Sequence, residues 1–219
     1  MRLTLIFPAL LLAAAGASAQ PSAPLMAHDG MPMLHGATEP VAPGVYRVEP
    51  GHTQVTFAVT HLGISPYAGW FSGASGMLSL DPAHPEAAKL TVSIPIASVM
   101  TTSDKLTSEL KSADWFDAAT YPTATFTSTS VRPMGPQAAV ILGTLTLHGV
   151  TKPAEIRARL FGSATNAMSK APSVGFVGRM VINRSDFGVT KYVPMVSDQV
   201  DLVINAAFER DATPGPSHR

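Results

Sequence analysis

The most constraining feature of the sequence is the run from Gln54 to His61, where bulky apolar residues alternate with small or polar ones. The bulky members Val55, Phe57 and Val59 are β-branched or aromatic. An alternation with period two predicts a β-strand with one apolar and one solvated face, because successive side chains point to opposite faces. The pattern recurs along the chain with little helical periodicity between its copies. Many amphipathic strands in one modest domain predict a sheet closed on itself, whose interior is the natural place for a site.

Nine segments carry strand patterns, which suits a small ligand-holding antiparallel barrel of about eight strands. Gly73 and Gly76 predict a bend or bulge in the third segment. Residues 148–152 predict the turn between the sixth and seventh segments. The nine predicted strands are 45–49, 54–62, 69–80, 89–96, 123–131, 138–147, 155–161, 173–182 and 199–208.

One segment predicts a short helix instead of a strand. Leu106 and Leu110 have the i, i+4 spacing of one helix face, Ser103 is a suitable N-cap, and Lys111 is suited to the last turn. The following residues, 112–117, contain Trp115 and Phe116 in a predicted turn. These apolar side chains are expected to plug one end of the barrel, to line the mouth of an internal cavity, or to do both.

Composition limits the function classes. The 219-residue chain has 15 basic and 15 acidic residues, so its net charge is zero, and its mean hydropathy is +0.20. A neutral chain lacks the basic field that steers proteins to nucleic acid, so no nucleic-acid partner is expected. The absence of cysteine from the sequence excludes disulfides, thiolate catalysis and thiolate metal sites.

The N-terminus predicts export. Arg2 precedes an apolar stretch, and Ala17-Ser18-Ala19 has the small residues of a cleavage site. The stretch is short for a stable membrane anchor, so a signal peptide cleaved after Ala19 is the better interpretation. In a Gram-negative bacterium the product would be periplasmic. The predicted organisation is a signal peptide at 1–19, a flexible Met/Pro-rich leader at 20–43, the barrel at 44–210 and a flexible tail at 211–219.

No familiar catalytic spacing appears in the sequence, so no enzymatic activity and no cofactor are predicted. The chain has no G-x-S-x-G elbow, no phosphate-binding glycine loop and no H-E-x-x-H motif. His61 shares a strand face with Val55, Phe57 and Val59. If that face points inward, His61 is either a satisfied histidine near a rim or a hydrogen-bond partner for the head group of a ligand.

The leader offers a second chemistry. It contains Met26, His28, Met31, Met33 and His35, and thioether with imidazole is a ligand set suited to Cu(I). Closely spaced methionines also occur in leaders without a metal function, and this interpretation is preferred.

The body of the chain also resembles the YceI-like family of exported lipid-binding proteins. The resemblance rests on an ordered set of stretches that spans nearly all of 44–210. These stretches are Tyr46–Thr53, Val55–Gly63, Ser112–Asp117, Tyr121–Phe126, Gly143–Pro153 and Asn183–Gly188.

The resemblance implies a lipocalin-like antiparallel barrel with an elongated apolar pore that holds a long-chain isoprenoid or similar amphiphile. Members often carry an Arg-Asp pair and a His in the short helix. The corresponding places here are Leu106, Thr107 and Glu109. If those polar groups hold a ligand head group in relatives, an anionic pyrophosphate head is less favoured here than a neutral or quinone-like one.

The leading hypothesis is a non-enzymatic periplasmic carrier of such a lipid. The alternatives are an enzyme acting on an isoprenoid or quinone, a copper-handling protein that uses the leader, and a structural barrel with a filled core. By apolar alternation, the predicted ligand-binding residues are Val55, Phe57, Val59, His61, Phe71, Leu90, Val92, Ile94, Leu110, Trp115, Phe116 and Phe126.

Overall fold

The computed structural model describes residues 36–211, in which one antiparallel sheet of ten strands accompanies one α-helix. The helix α1 spans Asp104–Lys111. The strands are β1 (Gly44–Val48), β2 (Gln54–His61), β3 (Ser65–Phe71), β4 (Ser75–Leu80), β5 (Lys89–Pro95), β6 (Thr123–Pro133), β7 (Ala138–Leu147), β8 (Val150–Thr165), β9 (Pro172–Asn183) and β10 (Gln199–Arg210).

The ten strands occupy eight positions around a closed barrel. Strands β1 and β2 lie one after the other along the same edge of β10, which pairs with β1 through Phe208 to Arg210 and with β2 through Asp201 to Asn205. The next position is likewise shared by two strands, β4, which pairs with β1, and β3, which pairs with β2. Strands β5 to β10 then follow in chain order, and the β1–β10 pairing closes the wall. The prediction of an antiparallel barrel of about eight strands with one short helix is confirmed.

Local chemistry explains why the first two positions are interrupted. Between β1 and β2, the Glu49 carboxylate accepts hydrogen bonds from the backbone N–H groups of Gly51 (3.0 Å) and His52 (2.8 Å), which closes a tight turn. Between β3 and β4, Gly73 adopts φ +67°, a conformation that favours glycine. The single predicted strand over 69–80 was therefore wrong, although Gly73 correctly marked the interruption.

The β7–β8 connection is a two-residue hairpin turn. His148 and Gly149 both have positive φ (50° and 74°), and Leu147 pairs directly with Val150. A turn with two positive φ values matches the twist of the strands it joins. The predicted turn at 148–152 was too long, because β8 begins at Val150 and runs past the predicted end at 161.

The predicted helix is confirmed in its bounds and its cap. The Ser103 hydroxyl accepts a hydrogen bond from the backbone N–H of Leu106 (3.3 Å), and Lys111 occupies the last turn. Leu110 is buried, and the helix lies in the connection between β5 and β6. A pair of backbone hydrogen bonds between Trp70 and Met100, both 2.9 Å, joins this connection to β3.

Part of the segment predicted as leader is attached to the barrel. Thr38 forms a parallel bridge with Ser163 on β8, and the backbone N–H of Glu39 donates to the Ser163 carbonyl at 2.9 Å. The Glu39 carboxylate also accepts from the backbone N–H of Thr165 (2.8 Å). These contacts begin at the first residues that the structure describes.

Several sequence predictions fall outside the described residues. These are the signal peptide, the Met26, His28, Met31, Met33 and His35 cluster, and the tail beyond Asp211. Within 36–211, no helix combines the length and apolar character needed to cross a membrane.

Candidate functional site

The inside of the barrel contains two adjoining cavities, and the first has a volume of about 410 Å³. This cavity, named here the helix-end cavity, lies beneath α1 and the aromatic turn. Its wall comes from β2, β3, the start of β10 and the helix-end parts of β5, β6, β7 and β9. Its end is formed by α1, Trp115, Phe116 and residues 189–196. Almost all of the side chains that line it are apolar.

The second cavity, named the loop-end cavity, has a volume of about 400 Å³ and reaches the opposite end of the barrel. Its end is formed by the β4–β5 and β6–β7 connections, which contribute Pro82, Pro85 and Pro136. The two cavities share four lining residues, which form a waist between them. The waist residues are Val55, Ile94, Leu145 and Leu202.

All twelve residues of the predicted site line one or both cavities. Val55 and Ile94 line both. The residues found only at the helix-end cavity are Val59, Phe57, His61, Phe71, Leu110, Trp115 and Phe116. The residues found only at the loop-end cavity are Leu90, Val92 and Phe126. The structure therefore brings the set together around one interior, and a ligand-binding role for these residues stays a prediction.

The predicted site residues lie on β2, β3, β5, β6 and the β5–β6 connection, and they omit the half of the wall formed by β7 to β10. Strand β10 contributes Val200, Leu202, Ile204, Ala206 and Phe208. These residues alternate with Asp201, Val203 and Asn205, so the period-two pattern carried the signal. Strand β7 contributes Leu145 and Leu147, but Val140 and Leu142 on its other face are also apolar, which hides the direction of the inner face.

Arg184 organises the polar rim of the helix-end cavity. Its side chain is buried, and its guanidinium donates hydrogen bonds of 2.9 Å each to the backbone carbonyls of Val189, Lys191, Val196 and Ser197. The guanidinium also lies 5.5 Å from the centre of the Trp115 ring, within cation–π range. Burial lowers the pKa of Arg184 from its ordinary value, an effect that the nearby Asp198 opposes. One side chain thus shapes the loop that closes the cavity.

A second cation joins that loop to the helix. Lys191 Nζ lies 2.8 Å from Asp114 Oδ2 and 3.6 Å from Glu109 Oε1, and Glu109 Oε1 also accepts a hydrogen bond from the Trp115 indole (3.2 Å). The hydrogen bond from Lys191 lowers the pKa of Asp114, and the same bond raises the pKa of Lys191. The Trp115 and Tyr192 rings meet edge to face at 6.0 Å. Charge at this rim is therefore balanced within the protein itself.

His61 and Tyr67 complete the rim. His61 is exposed and bridges to Val196 through its backbone, and its side chain makes no hydrogen bond to any other residue in 36–211. The Tyr67 hydroxyl lies 3.2 Å from Thr102 Oγ1, and hydrogen bonds from Thr101 and Thr102 lower its pKa. Both groups line the cavity and can offer hydrogen bonds to a molecule inside it.

Of the helix residues Leu106, Thr107 and Glu109, two line the cavity and the third does not. Leu106 and Glu109 line the cavity, and Leu106 is spaced i, i+3 from Glu109 and i, i+4 from Leu110 along one side of the helix. Thr107 instead bonds to Thr101, with its Oγ1 accepting from the Thr101 backbone N–H at 3.0 Å.

In the part of the chain that the structure covers, no group of three or more His, Cys, Asp or Glu side chains could hold a metal ion.

The fold and the site together define a closed antiparallel barrel with a mainly apolar interior. Polar side chains line both of its ends, with Arg184, Glu109, His61 and Tyr67 at the helix end and Lys89 and Gln137 at the loop end. The chain belongs to the YceI-like family, because the family's YceI-like domain matches residues 46–208. This finding confirms the family resemblance that was inferred from the sequence.

Relatives and solved structures agree with this assignment. The chain is 36% identical over 176 residues to a UPF0312 protein of Azotobacter vinelandii, covering 80% of this chain and 91% of the relative. It is 39% identical to a UPF0312 protein of Pseudomonas fluorescens, covering 70% of this chain and 80% of that one.

Two crystal structures have both a similar fold and a related sequence. Burkholderia cenocepacia BcnA matches with TM-score 0.65 and 26% identity over 76% of this chain and 99% of its own. The Campylobacter jejuni YCEI protein matches with TM-score 0.62 and 32% identity over 70% of this chain and 90% of its own. A polyisoprenoid binding domain from Saccharophagus degradans has the same fold (TM-score 0.58, 75% of this chain and 98% of that one) at 16% identity.

Proposed function

We propose that this protein binds a long-chain isoprenoid or a similar amphiphilic lipid inside the barrel and carries it without chemical change. The observation that supports the proposal is the pair of adjoining apolar cavities, about 410 and 400 Å³, which extend from the helix end towards the loop end. Membership of the YceI-like family and the similar fold of a polyisoprenoid binding domain support the same proposal.

The driving force for binding is the burial of apolar surface. A prenyl chain is almost wholly apolar, and its transfer from water contributes roughly 25 cal/mol for each Å² that becomes buried. The wall is a formed barrel, so the protein orders little of its own chain on binding and the main cost is the freezing of the lipid. A chain long enough to pass the waist gains area in both cavities, so affinity is expected to rise with chain length.

The rim of the helix-end cavity favours a neutral head group. The Arg184 guanidinium is directed to four backbone carbonyls, and Lys191 is held between Asp114 and Glu109. A pyrophosphate would compete with these protein partners and would meet both carboxylates. A hydroxyl or quinone oxygen requires only a hydrogen bond, which His61 or Tyr67 can supply.

We place this carrier in the periplasm. The proposal rests on the export signal predicted at 1–19 and on the need to shield a prenyl chain from water between two membranes. The lipid would be taken up at one membrane and released at the other.

The experiment that tests the function is native mass spectrometry of the full-length protein purified from its own cells, followed by organic extraction. A discrete added mass that extracts as a prenyl lipid is the expected result, and the extract identifies the head group. A mass without added lipid, together with failure to take up solanesol or ubiquinone, would contradict the function.

A truncated chain provides the control for the alternative in the leader. Because Thr38 and Glu39 are bonded to β8, the deletion should stop at residue 35 rather than continue to Pro43. Lipid binding should survive removal of 20–35, whereas any copper binding through Met26, His28, Met31, Met33 and His35 should be lost.

A further inference from the structure

The mouth of the helix-end cavity is surrounded by exposed apolar side chains. Leu62 is 53% exposed and Ile64 80%, although both are aliphatic. Tyr192, Val193 and Met195 are also exposed and belong to the loop that Arg184 organises. These five residues are named here the apolar rim, to distinguish them from the polar groups of Arg184, Lys191, His61 and Tyr67 at the same mouth.

Backbone hydrogen bonds hold the two parts of the apolar rim side by side. The Leu62 N–H donates to the Met195 carbonyl at 2.6 Å, and the Ser197 N–H donates to the Thr60 carbonyl at 2.9 Å. Tyr192 also lines the helix-end cavity, as does His61 at the base of the hairpin. The rim is therefore continuous with the inner surface of the barrel.

The β2–β3 hairpin carries an unusual residue at its tip. Leu62 and Gly63 have φ of +53° and +70°, the conformation in which turns favour Asn, Asp or Gly. A leucine there costs conformational free energy and leaves an apolar side chain in water. The Leu62 side chain is not part of the core, so packing inside the protein does not offset these costs. A partner that covers the tip explains the leucine better.

The surroundings of the tip specify the chemistry of that partner. No Asp, Glu, Lys or Arg occurs between Pro50 and Leu80, a segment whose titratable side chains include His52 and His61, and none occurs between Tyr192 and Ser197. An uncharged apolar surface that includes a tyrosine matches the interface of a lipid bilayer, where aromatic rings with a polar tip are favoured. The nearby charged groups Lys191 and Asp114 are paired with each other at 2.8 Å, which weakens recognition of this surface by a charged protein partner.

We propose that the apolar rim docks on a phospholipid bilayer, so that a lipid moves between the membrane and the helix-end cavity without crossing water. This inference rests on the proposed binding function and adds the place where the ligand passes. Shallow insertion of Leu62 and Ile64 would set the mouth against the acyl chains.

The test compares transfer from vesicles with binding in the absence of a membrane. The probe is geranylgeraniol with a nitrobenzoxadiazole label, supplied either in phosphatidylcholine vesicles or as a cyclodextrin complex. The variant is the full chain with Leu62→Asn and Ile64→Ser. We expect its transfer rate from vesicles to fall by about tenfold, since two aliphatic side chains no longer leave water, while its equilibrium binding from cyclodextrin stays unchanged.

The matched control is Met168→Gln. Met168 is 92% exposed in the β8–β9 turn at the loop end, far along the barrel from the apolar rim. This variant should transfer the probe at the wild-type rate. An equal loss of rate in both variants, or no loss in the rim variant, would overturn the docking proposal.

Two further outcomes separate the possible failures. If wild-type protein does not take up the probe even from cyclodextrin, the binding function itself is contradicted. If sedimentation velocity shows a wild-type dimer that the rim variant abolishes, and transfer from vesicles is unchanged, a second copy of the chain covers the rim and the bilayer proposal is overturned.

Discussion

The two ends of the barrel enclose cavities of similar size but are built from different chemistry. The helix end is closed by α1, Trp115 and a loop that Arg184 and Lys191 hold through hydrogen bonds and ion pairs. The loop end is closed by short connections that are rich in proline. More polar side chains line the helix end than the loop end, where Lys89 and Gln137 contribute. If the barrel binds a lipid as proposed, this difference teaches that head-group selection would fall mainly to the helix end.

The largest expected effect tests whether the helix end depends on Arg184. Arg184→Met removes a buried charged donor from four backbone carbonyls, so the free energy of unfolding should fall by about 3 kcal/mol. Chemical denaturation measures the loss, and hydrogen exchange should show faster opening of residues 189–197 than of β7 and β8.

Arg157→Met is the matched control for this change. Arg157 pairs with Glu155 at 2.9 Å, but its side chain is 78% exposed. Its replacement should alter stability by no more than about 0.5 kcal/mol. Equal losses in the two variants would mean that burial of the Arg184 guanidinium does not distinguish the helix end.

The second prediction tests whether the ends act as one interior. Leu202→Trp at the waist should weaken binding of solanesol at least about tenfold, because a long chain must cross between the cavities, and overpacking opposes it. Binding of the shorter farnesol should change little. Val203→Trp, on the opposite face of the same strand, is the control. Isothermal titration calorimetry measures the affinity of both variants for both prenols. An equal loss of affinity for solanesol and farnesol in Leu202→Trp would indicate that the lipid does not cross the waist.

The third prediction concerns pH at the helix end. Hydrogen bonds from the Ser185 hydroxyl (2.6 Å) and backbone N–H (2.8 Å) lower the pKa of Asp198. Because the folded pKa lies below the unfolded one, the stabilisation is present above about pH 4 and is lost as the pH falls through the folded value.

Asp198→Asn should therefore lower stability by about 1 kcal/mol at neutral pH and reduce the dependence of stability on pH in the acidic range. Urea titrations at several pH values from neutral to strongly acidic measure both quantities. An unchanged acid dependence in the variant would show that other carboxylates are responsible.

The smallest expected effect concerns head-group charge. Glu109→Gln removes one of the two carboxylates beside Lys191, so the affinity for a prenyl phosphate should rise about threefold at low salt, and the gain should fade as salt is added. Affinity for the uncharged prenol should stay the same. Fluorescence titrations with both ligands give the ratio, and a parallel change for both would place the effect in packing instead of charge.

Most of the wall could be predicted from the sequence, because a period of two over several residues is a local signal. Strand β7 was predicted with its observed bounds, and the cap of α1 was predicted at Ser103. The division of residues 69–80 into β3 and β4 could not be predicted from the sequence, because it depends on long-range strand pairing. Strand β3 pairs with β2, whereas β4 pairs with β1.

The rim of the site illustrates the opposite limit. Arg184 donates hydrogen bonds to backbone carbonyls five to thirteen residues further along the chain. No sequence pattern predicts that the carbonyls of Val189, Lys191, Val196 and Ser197 surround its guanidinium. Lys191 meets Asp114 across 77 positions of the chain. Such contacts arise only once the barrel has closed and brought the loop to the helix.

The connection from β5 to β6 contributes little to the hydrogen-bonded wall. It carries α1 and both aromatic residues of the turn, yet its backbone link to the edge of β3 consists of two hydrogen bonds between Trp70 and Met100, beside the side-chain contact of Tyr67 with Thr102. Insertions at its exposed positions are therefore expected to leave the pairing of the ten strands unbroken, whereas its buried residues Val99, Leu110 and Trp115 belong to the core. If the barrel carries a lipid as proposed, its preference for one lipid over another could change in this stretch while the paired strands are retained.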